Sequence, residues 1–437
     1  MRLIDKLLKS IFSLFSKILQ VTGRGNGTAL PGFIIEKFYP SFIKYLARDF
    51  DEVIFVTGTN GKTTIVSMLS KVYKELSYEV ASNIEGSNMI RGVISTLVSA
   101  KTPRTKNSAL ILEVEEGTIA KLANYIKPDY IILTNIFRDQ LDVYGEIEQV
   151  KQVIIAGIRN SPDAIVIYNF NDPILRDLIN VVPNVKLPYG LTDELLSNFR
   201  YEASDKPQSI STSTLAPKVK FLNSIDHIFS QTIVVNIGGQ AIQYDLGLTG
   251  IYNVLNSLAV FTLCLAKGFE MDEVVPAIEK VVPTFGRGER IFIEGKSHKK
   301  NLEIRLFLAK NPAGFEQILD VLAKEPKLFN LPNIKHIFIL NDNLADGRDV
   351  SWIWDVNFEK SQIKLPVCIC SGERAEDMAL RLKYSNVSSG YTITPEIDDL
   401  VDDMMESPCH YRVVANYTGM MNFRKSLQRY TNLKDFS

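Results

Sequence analysis

Residues 53–64 read VIFVTGTNGKTT. Four apolar residues, β-branched or aromatic, run straight into a Gly- and Thr-containing loop that ends in Lys62-Thr63-Thr64, and a helical pattern follows over 63–77. A strand that delivers such a turn into a helix N-terminus makes several backbone N–H groups converge on one point, which is where phosphate oxygens bind. Gly58 and Gly61 permit the close approach, and Thr59 and Asn60 complete the turn. Lys62 can reach the β- and γ-phosphates as a point charge, the Thr63 hydroxyl is placed to ligate Mg²⁺, and Thr64 continues the first helical turn. The strict pattern G-x-x-x-x-G-K-[ST] is not met, because Val56 stands where its first Gly belongs; Gly58 to Thr63 is a shortened version. A turn that merely caps a helix is the plain alternative, and Lys followed by two Thr directly after two Gly argues against it.

Outward from this loop the chain alternates. Apolar runs at 53–56, 109–114, 130–134 and 164–168 predict buried parallel strands, separated by helical patterns at 63–77, 118–126 and 146–158. That alternation predicts an α/β fold with a mostly parallel, doubly wound sheet. A polar stretch at about 193–231 breaks the rhythm and reads as an insert. Regular structure resumes at IVVNIGG and a helix at 252–267, and another break follows PTFGRGER at 283–290. A second, smaller α/β pattern then runs to the end, with strands near 303–308, 335–340, 366–370 and 411–415 and helices near 313–324, 373–384 and 395–406. The expected division is 1–45 for an N-terminal amphipathic helix and Gly-rich loop, 46–288 for the nucleotide-binding domain, and 289–437 for the C-terminal domain.

Composition narrows the function classes. Across 437 residues, 49 Lys plus Arg against 50 Asp plus Glu leave no broad basic field, so no nucleic-acid partner is expected. The four cysteines, Cys264, Cys368, Cys370 and Cys409, form no CxxC pair and suit a reducing cytoplasm. Leu3, Leu7, Leu8, Ile11, Leu14, Phe15 and Ile18 recur at helical spacing with Lys6, Lys9 and Lys17 between them. The resulting amphipathic helix either packs on the protein or lies on a membrane surface, and it is too charged to span one.

The loop GTNGKTT, taken with further motifs in order, resembles the ATP loop of the Mur ligase family, which joins amines to carboxylates through acyl phosphates. LILEVEEG at 110–117 resembles the family strand whose Glu binds Mg²⁺, which maps to Glu113, with Glu115 and Glu116 nearby. TNIFRDQLDVYGE at 134–146 and NFNDP at 169–173 resemble two further family motifs. In GIYNVLNSLAV at 250–260, Asn253 and Asn256 map to nucleotide contact, and FGRGER at 285–290 places Arg287 in the family's G-R-x-E. Each has a plainer reading: Glu113 as part of a solvated acidic cluster, Asn253 and Asn256 as surface polar residues, Asp139 and Asp142 as helix caps. The resemblance implies a Mur ligase-like P-loop ATPase domain using ATP and Mg²⁺, with Thr63 and Glu113 at the metal. Two departures stand out. Gln140 replaces the usual His, and an ungapped reading puts Ile154 where many members carry a carbamylated Lys.

The second half points to a subgroup. LAKNPAGF at 308–315, LNDNLADGRDVSWIWDVNFE at 340–359, GTALPG near the N-terminus and ANYTG at 415–419 resemble the Mur-like subunits of lipid II isoglutaminyl synthase. That likeness implies phosphorylation of the α-carboxylate of D-Glu in the lipid II stem peptide. Amidation to D-isoglutamine then uses ammonia from a GatD-like glutamine amidotransferase, in the cytoplasm, with a peripheral position at the inner face of the membrane as the further option. It also implies that Asp349 completes the partner's Cys-His pair in trans; on its own, Asp349 equally reads as a loop acid bonded to nearby amides or to Arg348. Trp352 and Trp354, the only two in the chain, alternate in what reads as an extended stretch, as interface anchors or core. Relatives often carry a four-Cys zinc ribbon in the central insert; here that stretch has no Cys, and no zinc is expected. A stand-alone ligase of folylpolyglutamate synthase type is the alternative activity.

Overall fold

The computed structural model describes residues 8–14, 30–83, 88–101, 103, 107–136, 147–191, 218–221, 231–237, 240–248, 251–281, 286–293, 302–329, 334–361, 363–407 and 409–433. Six strands form the first sheet: β1 (Glu52–Thr57), β2 (Glu79–Ser82), β3 (Ser108–Glu113), β4 (Tyr130–Leu133), β5 (Ile165–Asn169) and β6 (Lys186–Tyr189), in the order β2-β3-β1-β4-β5-β6. Every pairing is parallel. β1 lies inside this sheet and is buried along its whole length, as a strand covered on both faces must be.

One face is covered by α4 (Lys62–Glu75), α9 (Ile251–Ala266) and α10 (Met271–Glu279), whose apolar sides form a single core with β1 and β3. The three-stranded antiparallel sheet β7 (Lys218–Phe221), β8 (Gln231–Ile237) and β9 (Gln240–Leu246) joins this core through Ile233, Tyr244 and Leu246. The other face is covered by α2 (Leu30–Phe38), α3 (Ser41–Ala47), α5 (Ile90–Ser99), α6 (Ile119–Leu122), α7 (Ile147–Arg159) and α8 (Pro173–Asn180). A short helix α1 at 8–14 packs on this side through Leu8 and Phe12. The doubly wound sheet expected from the alternation is therefore what forms. β7 falls within the polar stretch expected to be an insert; most of that stretch, with the zinc expectation that bears on it, lies outside the described residues.

Two local readings are corrected. GTALPG reads as loop, yet Leu30 already opens α2, with Pro31 suited to the first helical turn and Gly32 serving packing instead of turning. The Gly32 N–H donates to Ser95 Oγ at 3.0 Å, and a Cβ on Gly32 would stand 2.0 Å from the Arg91 carbonyl oxygen. Gly32→Val is expected to push α2 off α5 and cost at least about 1–3 kcal/mol, read as a lowered urea midpoint. The second correction concerns Trp352 and Trp354: Ser351–Trp354 is a 3₁₀ turn, not a strand. Ile353 is buried at its centre, Trp352 leans on Phe315, and Trp354 stays exposed against Arg381 and Tyr384.

The C-terminal sheet contains β10 (Arg287–Ile293), β11 (Leu302–Leu308), β12 (Ile334–Ile339), β13 (Cys368–Ser371), β14 (Tyr391–Ile393) and β15 (His410–Ala415), in the order β10-β11-β15-β12-β13-β14. Only β10 is antiparallel to its neighbour among these pairs. One face carries α11 (Pro312–Phe329) and α12 (Ala375–Ser385), the other α13 (Ile397–Glu406) and α14 (Tyr417–Leu427).

His336 on β12 is 3% exposed, beside Arg412 on β15 and Cys368 on β13, and its Nδ1 has no hydrogen-bond partner among the described residues. Burial, and secondarily the Arg412 charge, push its pKa down to about 4. The unfolded chain takes up this proton near pH 6.5 and the folded one only near 4. The stability is therefore fully present above pH 6.5 and is lost as pH falls from there to 4, by about 3 kcal/mol. His336→Gln is expected to flatten the acid limb of stability against pH in that window, measured by urea unfolding.

Candidate nucleotide and carboxylate-activating site

β1 ends at Thr57, residues 58–61 turn, and α4 begins at Lys62, so the strand-turn-helix expected from VIFVTGTNGKTT is present. Helix N-termini offer N–H groups with no intrahelical partner. Gly61 has φ +94°, and a Cβ there would lie 2.4 Å from Asn256 Oδ1. Gly61→Ala is expected to raise the KM for ATP more than tenfold, with little effect on the core; an unchanged KM would separate the loop from the nucleotide.

The loop is held from β4. Asn135, just past that strand, accepts from the Thr59 N–H through its carbonyl and from the Asn60 N–H through Oδ1, both at 2.9 Å, and donates back to the Asn60 carbonyl. Gly58 sits against Thr134 and Asn135, and Thr59 and Thr64 are buried. The TNIFRDQ resemblance thus gains a physical role in its first two residues; Asp139, Gln140 and Asp142 lie outside the described residues.

Sheet register delivers the acids. Val56 pairs with Glu113, so the end of β3 stands beside the loop. The Thr63 hydroxyl donates to Glu113 Oε2 at 2.7 Å, and Asn88 Nδ2 donates to Oε1 at 3.3 Å. The two oxygens suit a small hard cation, whose adjacent octahedral ligands at 2.0–2.1 Å lie about 2.9 Å apart. Among the described residues no group of three or more His, Cys, Asp or Glu side chains is gathered to hold a metal. Glu116, one turn beyond β3 and given no role by sequence, pairs with Lys62 Nζ at 3.2 Å, both side chains buried. Lys62 Nζ also donates to the carbonyls of Gly58 and Thr59. The signal for Glu116 was its place in EVEEG, but nothing local distinguished it from Glu115.

Asn253 and Asn256 are buried on α9, 3.2 Å apart, and Asn256 meets the loop; they are not surface polar residues. A pocket beside the loop is lined by Asn60, Asn135, Asn169, Tyr189, Asn256 and, from α11, Gln317. The C-terminal half reaches the loop directly, since Asn60 and Asn311 exchange two side-chain hydrogen bonds at 3.3 and 3.2 Å. Arg287 opens β10 opposite Phe307, and its side chain lies outside the described residues. Ile154, expected at the position of a modified Lys, is 1% exposed in the apolar core with Ile119 and Ile158, so that register brings no side chain to the site.

Asp349 is exposed, and its Oδ1 accepts the Ser351 N–H at 2.8 Å, which starts the 3₁₀ turn. The loop that carries it is fastened to ANYTG. Asp346 accepts the Thr418 N–H at 2.8 Å and also its hydroxyl, and Asn341 and Asn343 both donate to that hydroxyl oxygen. Burial raises the Asp346 carboxyl above its ordinary value. Asn416 and Asn341 close the same junction.

A parallel sheet whose first strand feeds a phosphate loop, followed by an α/β domain touching that loop, is the architecture of a Mur-type ligase. Residues 56–264 match the Mur ligase middle domain model and residues 308–420 the MurT ligase C-terminal model. Between them these two matches span most of the chain, a Mur ligase-like middle domain followed by a C-terminal domain similar to that of MurT ligases. It is 29% identical over 430 residues to the lipid II isoglutaminyl synthase (glutamine-hydrolyzing) subunit MurT of Streptococcus pneumoniae (strain ATCC BAA-255 / R6), covering 92% of this chain and 93% of that one. The subunit MurT of Staphylococcus aureus (strain COL) is 28% identical, with the same coverage of each. Among solved structures, the MurF ligase of Thermotoga maritima in complex with ADP superposes with a TM-score of 0.63 at 17% identity, covering 89% of this chain and 83% of that one, a likeness of fold.

Proposed function

We propose that this chain is the ATP-consuming subunit of a lipid II isoglutaminyl synthase. It activates the α-carboxylate of D-Glu in the lipid II stem peptide as an acyl phosphate, which ammonia from a GatD-like glutaminase then converts to the amide of D-isoglutamine. The observation that carries the reading is the convergence of Lys62, Thr63 and Glu113 on one phosphate loop, in a chain matched along nearly its whole length by MurT subunits.

A carboxylate is a poor acceptor for ammonia until its oxygen becomes a leaving group, and γ-phosphoryl transfer supplies one. The loop N–H groups hold the phosphates, and Lys62 exchanges the Glu116 carboxylate and loop carbonyls for phosphate oxygens, where its charge stabilises the transferring group. Thr63 and Glu113 are the residues that would hold Mg²⁺, which would supply positive charge to the phosphates. Asn256, which lines the pocket, and Asn253, hydrogen-bonded to it, are assigned to the nucleoside, as is Arg287 by the family motif.

No described Cys is set up as a glutaminase nucleophile. Burial raises the Cys264 thiol above its ordinary range, and Cys368 and Cys370 to about 11 and 12, whereas such a nucleophile needs a base and a lowered pKa. Nitrogen delivery thus falls to a separate subunit, and exposed Asp349, on its fastened loop, is the residue we assign to orient that partner's His. The assay compares lipid II amidation with glutamine or ammonium, with and without a co-expressed glutaminase. ATP turnover and amidation with ammonium by the chain alone are expected. Absence of ATP hydrolysis with lipid II and ammonium present would overturn the proposal, and incorporation of a free amino acid would favour a stand-alone ligase.

A further inference from the structure

We infer that the outer surface of α1 and the α2–α3 turn is a docking face for an anionic lipid bilayer. This deepens the reading of a lipid-linked substrate and rests on it for its purpose, although the binding itself can be measured without substrate. Ile11, Leu14, Phe38 and Tyr39 are 52, 61, 69 and 45% exposed, an unusual concentration of large apolar side chains in two short segments.

The two segments that carry them are brought together at Phe42 of α3, which is buried. Its ring lies 6.5 Å from that of Phe12 on α1 and 6.2 Å from that of Tyr39. Leu8 and Phe12 turn inward to the core, so Ile11 and Leu14 face away from it on the same helix. Charge complements the apolar area. Lys37 is exposed with its ammonium 5.7 and 5.5 Å from the Phe33 and Phe38 ring centres, and Lys44 lies on the exposed side of α3. The acids nearby are otherwise engaged. Glu36 is held by Arg91 and Lys121, and Asp49 acts on half-buried Lys9. Apolar tips fringed by lysine are what an interfacial helix offers to acyl chains and anionic headgroups. Among the described residues no helix is long and apolar enough to cross a membrane.

The face is coupled to the site by packing. Asn88, which bonds Glu113, immediately precedes the N-cap of α5, and the first turns of α5 carry α2 through the Gly32–Ser95 and Arg91–Glu36 contacts. A bilayer under Phe38 and Tyr39 would therefore lie against the helix pair that adjoins the metal carboxylate, where a lipid-anchored stem peptide must arrive.

The full-length chain is sedimented with vesicles of phosphatidylcholine alone or with phosphatidylglycerol. Binding to the anionic vesicles is expected, weakening with salt. Ile11→Ser/Leu14→Ser and Phe38→Ser should each weaken it at least about tenfold, and Lys37→Glu/Lys44→Glu should remove the preference for phosphatidylglycerol. The same variants should lower kcat/KM for lipid II in vesicles while leaving it unchanged for a water-soluble muropeptide with the same stem. No vesicle binding by the parent chain, or equal binding by the variants, overturns the inference. So does an equal loss on both substrates, which marks a structural role, or a change in oligomeric state by sedimentation velocity, which marks a contact between copies. Vesicle binding that persists in a chain unable to amidate lipid II would sink the proposed activity while leaving the docking face standing.

Discussion

Lys62→Ala is expected to lower ATP turnover and amidation on the order of 10³-fold, with glutamine and with ammonium alike, because removing one preorganised charge at a developing anion has effects of that size. The structure adds a complication that can be removed. Lys62 and Glu116 are paired and buried, with 9 and 7% of their side chains exposed. Deleting the ammonium leaves Glu116 without that partner, a change that costs about 3–5 kcal/mol at buried pairs. Loss of activity in the single variant could therefore be loss of fold. Lys62→Ala/Glu116→Gln leaves no buried charge behind and is expected to restore the urea midpoint while remaining inactive. If the folded double variant turns over ATP within tenfold of the parent, the loop is not the phosphate site.

Asp349→Asn should separate the two nitrogen sources. The glutamine-driven reaction is expected to fall on the order of 10⁴-fold, the effect of making a triad acid neutral, with ammonium-driven amidation unchanged. The substitution is structurally mild: the side-chain carbonyl of Asn can still accept the Ser351 N–H that Asp349 accepts at 2.8 Å. Fold and loop are kept and only charge is lost. Undiminished glutamine use in the complex would refute the in-trans role. By contrast, Thr418→Val is expected to loosen the whole loop, since Asn341, Asn343 and Asp346 all bond that hydroxyl, and it should impair the glutamine reaction together with stability.

Elements with strong local patterns were legible in the sequence. β1, β3, β4 and β5 are continuous apolar runs, and all four form. β2 and β6 were not legible, since EVAS and KLPY are four-residue edge strands of mixed polarity, one containing Pro188, and they acquire strand character only by pairing with β3 and β5. Trp352 and Trp354 look like strand residues by their spacing of two. The fold makes them a 3₁₀ turn because the Asp349 side chain caps Ser351 and Ile353 must enter the core. α2 was hidden by Gly32, whose missing side chain signals a turn in isolation and a close helix contact in the fold.

What the sequence determined by itself is the strand-turn-helix that presents Lys62 and Thr63, since strand, turn, glycines and both side chains are consecutive and their arrangement follows from local backbone geometry. What only the tertiary structure decided is which distant groups face that loop: Glu113 beside Thr63, Glu116 on Lys62, Asn135 under Thr59 and Asn60, Asn311 across from the second domain, and Ile154 in the core. Those partners depend on β3 and β4 flanking β1 in one register, and a shift of a single residue would turn each strand's side chains to the opposite face.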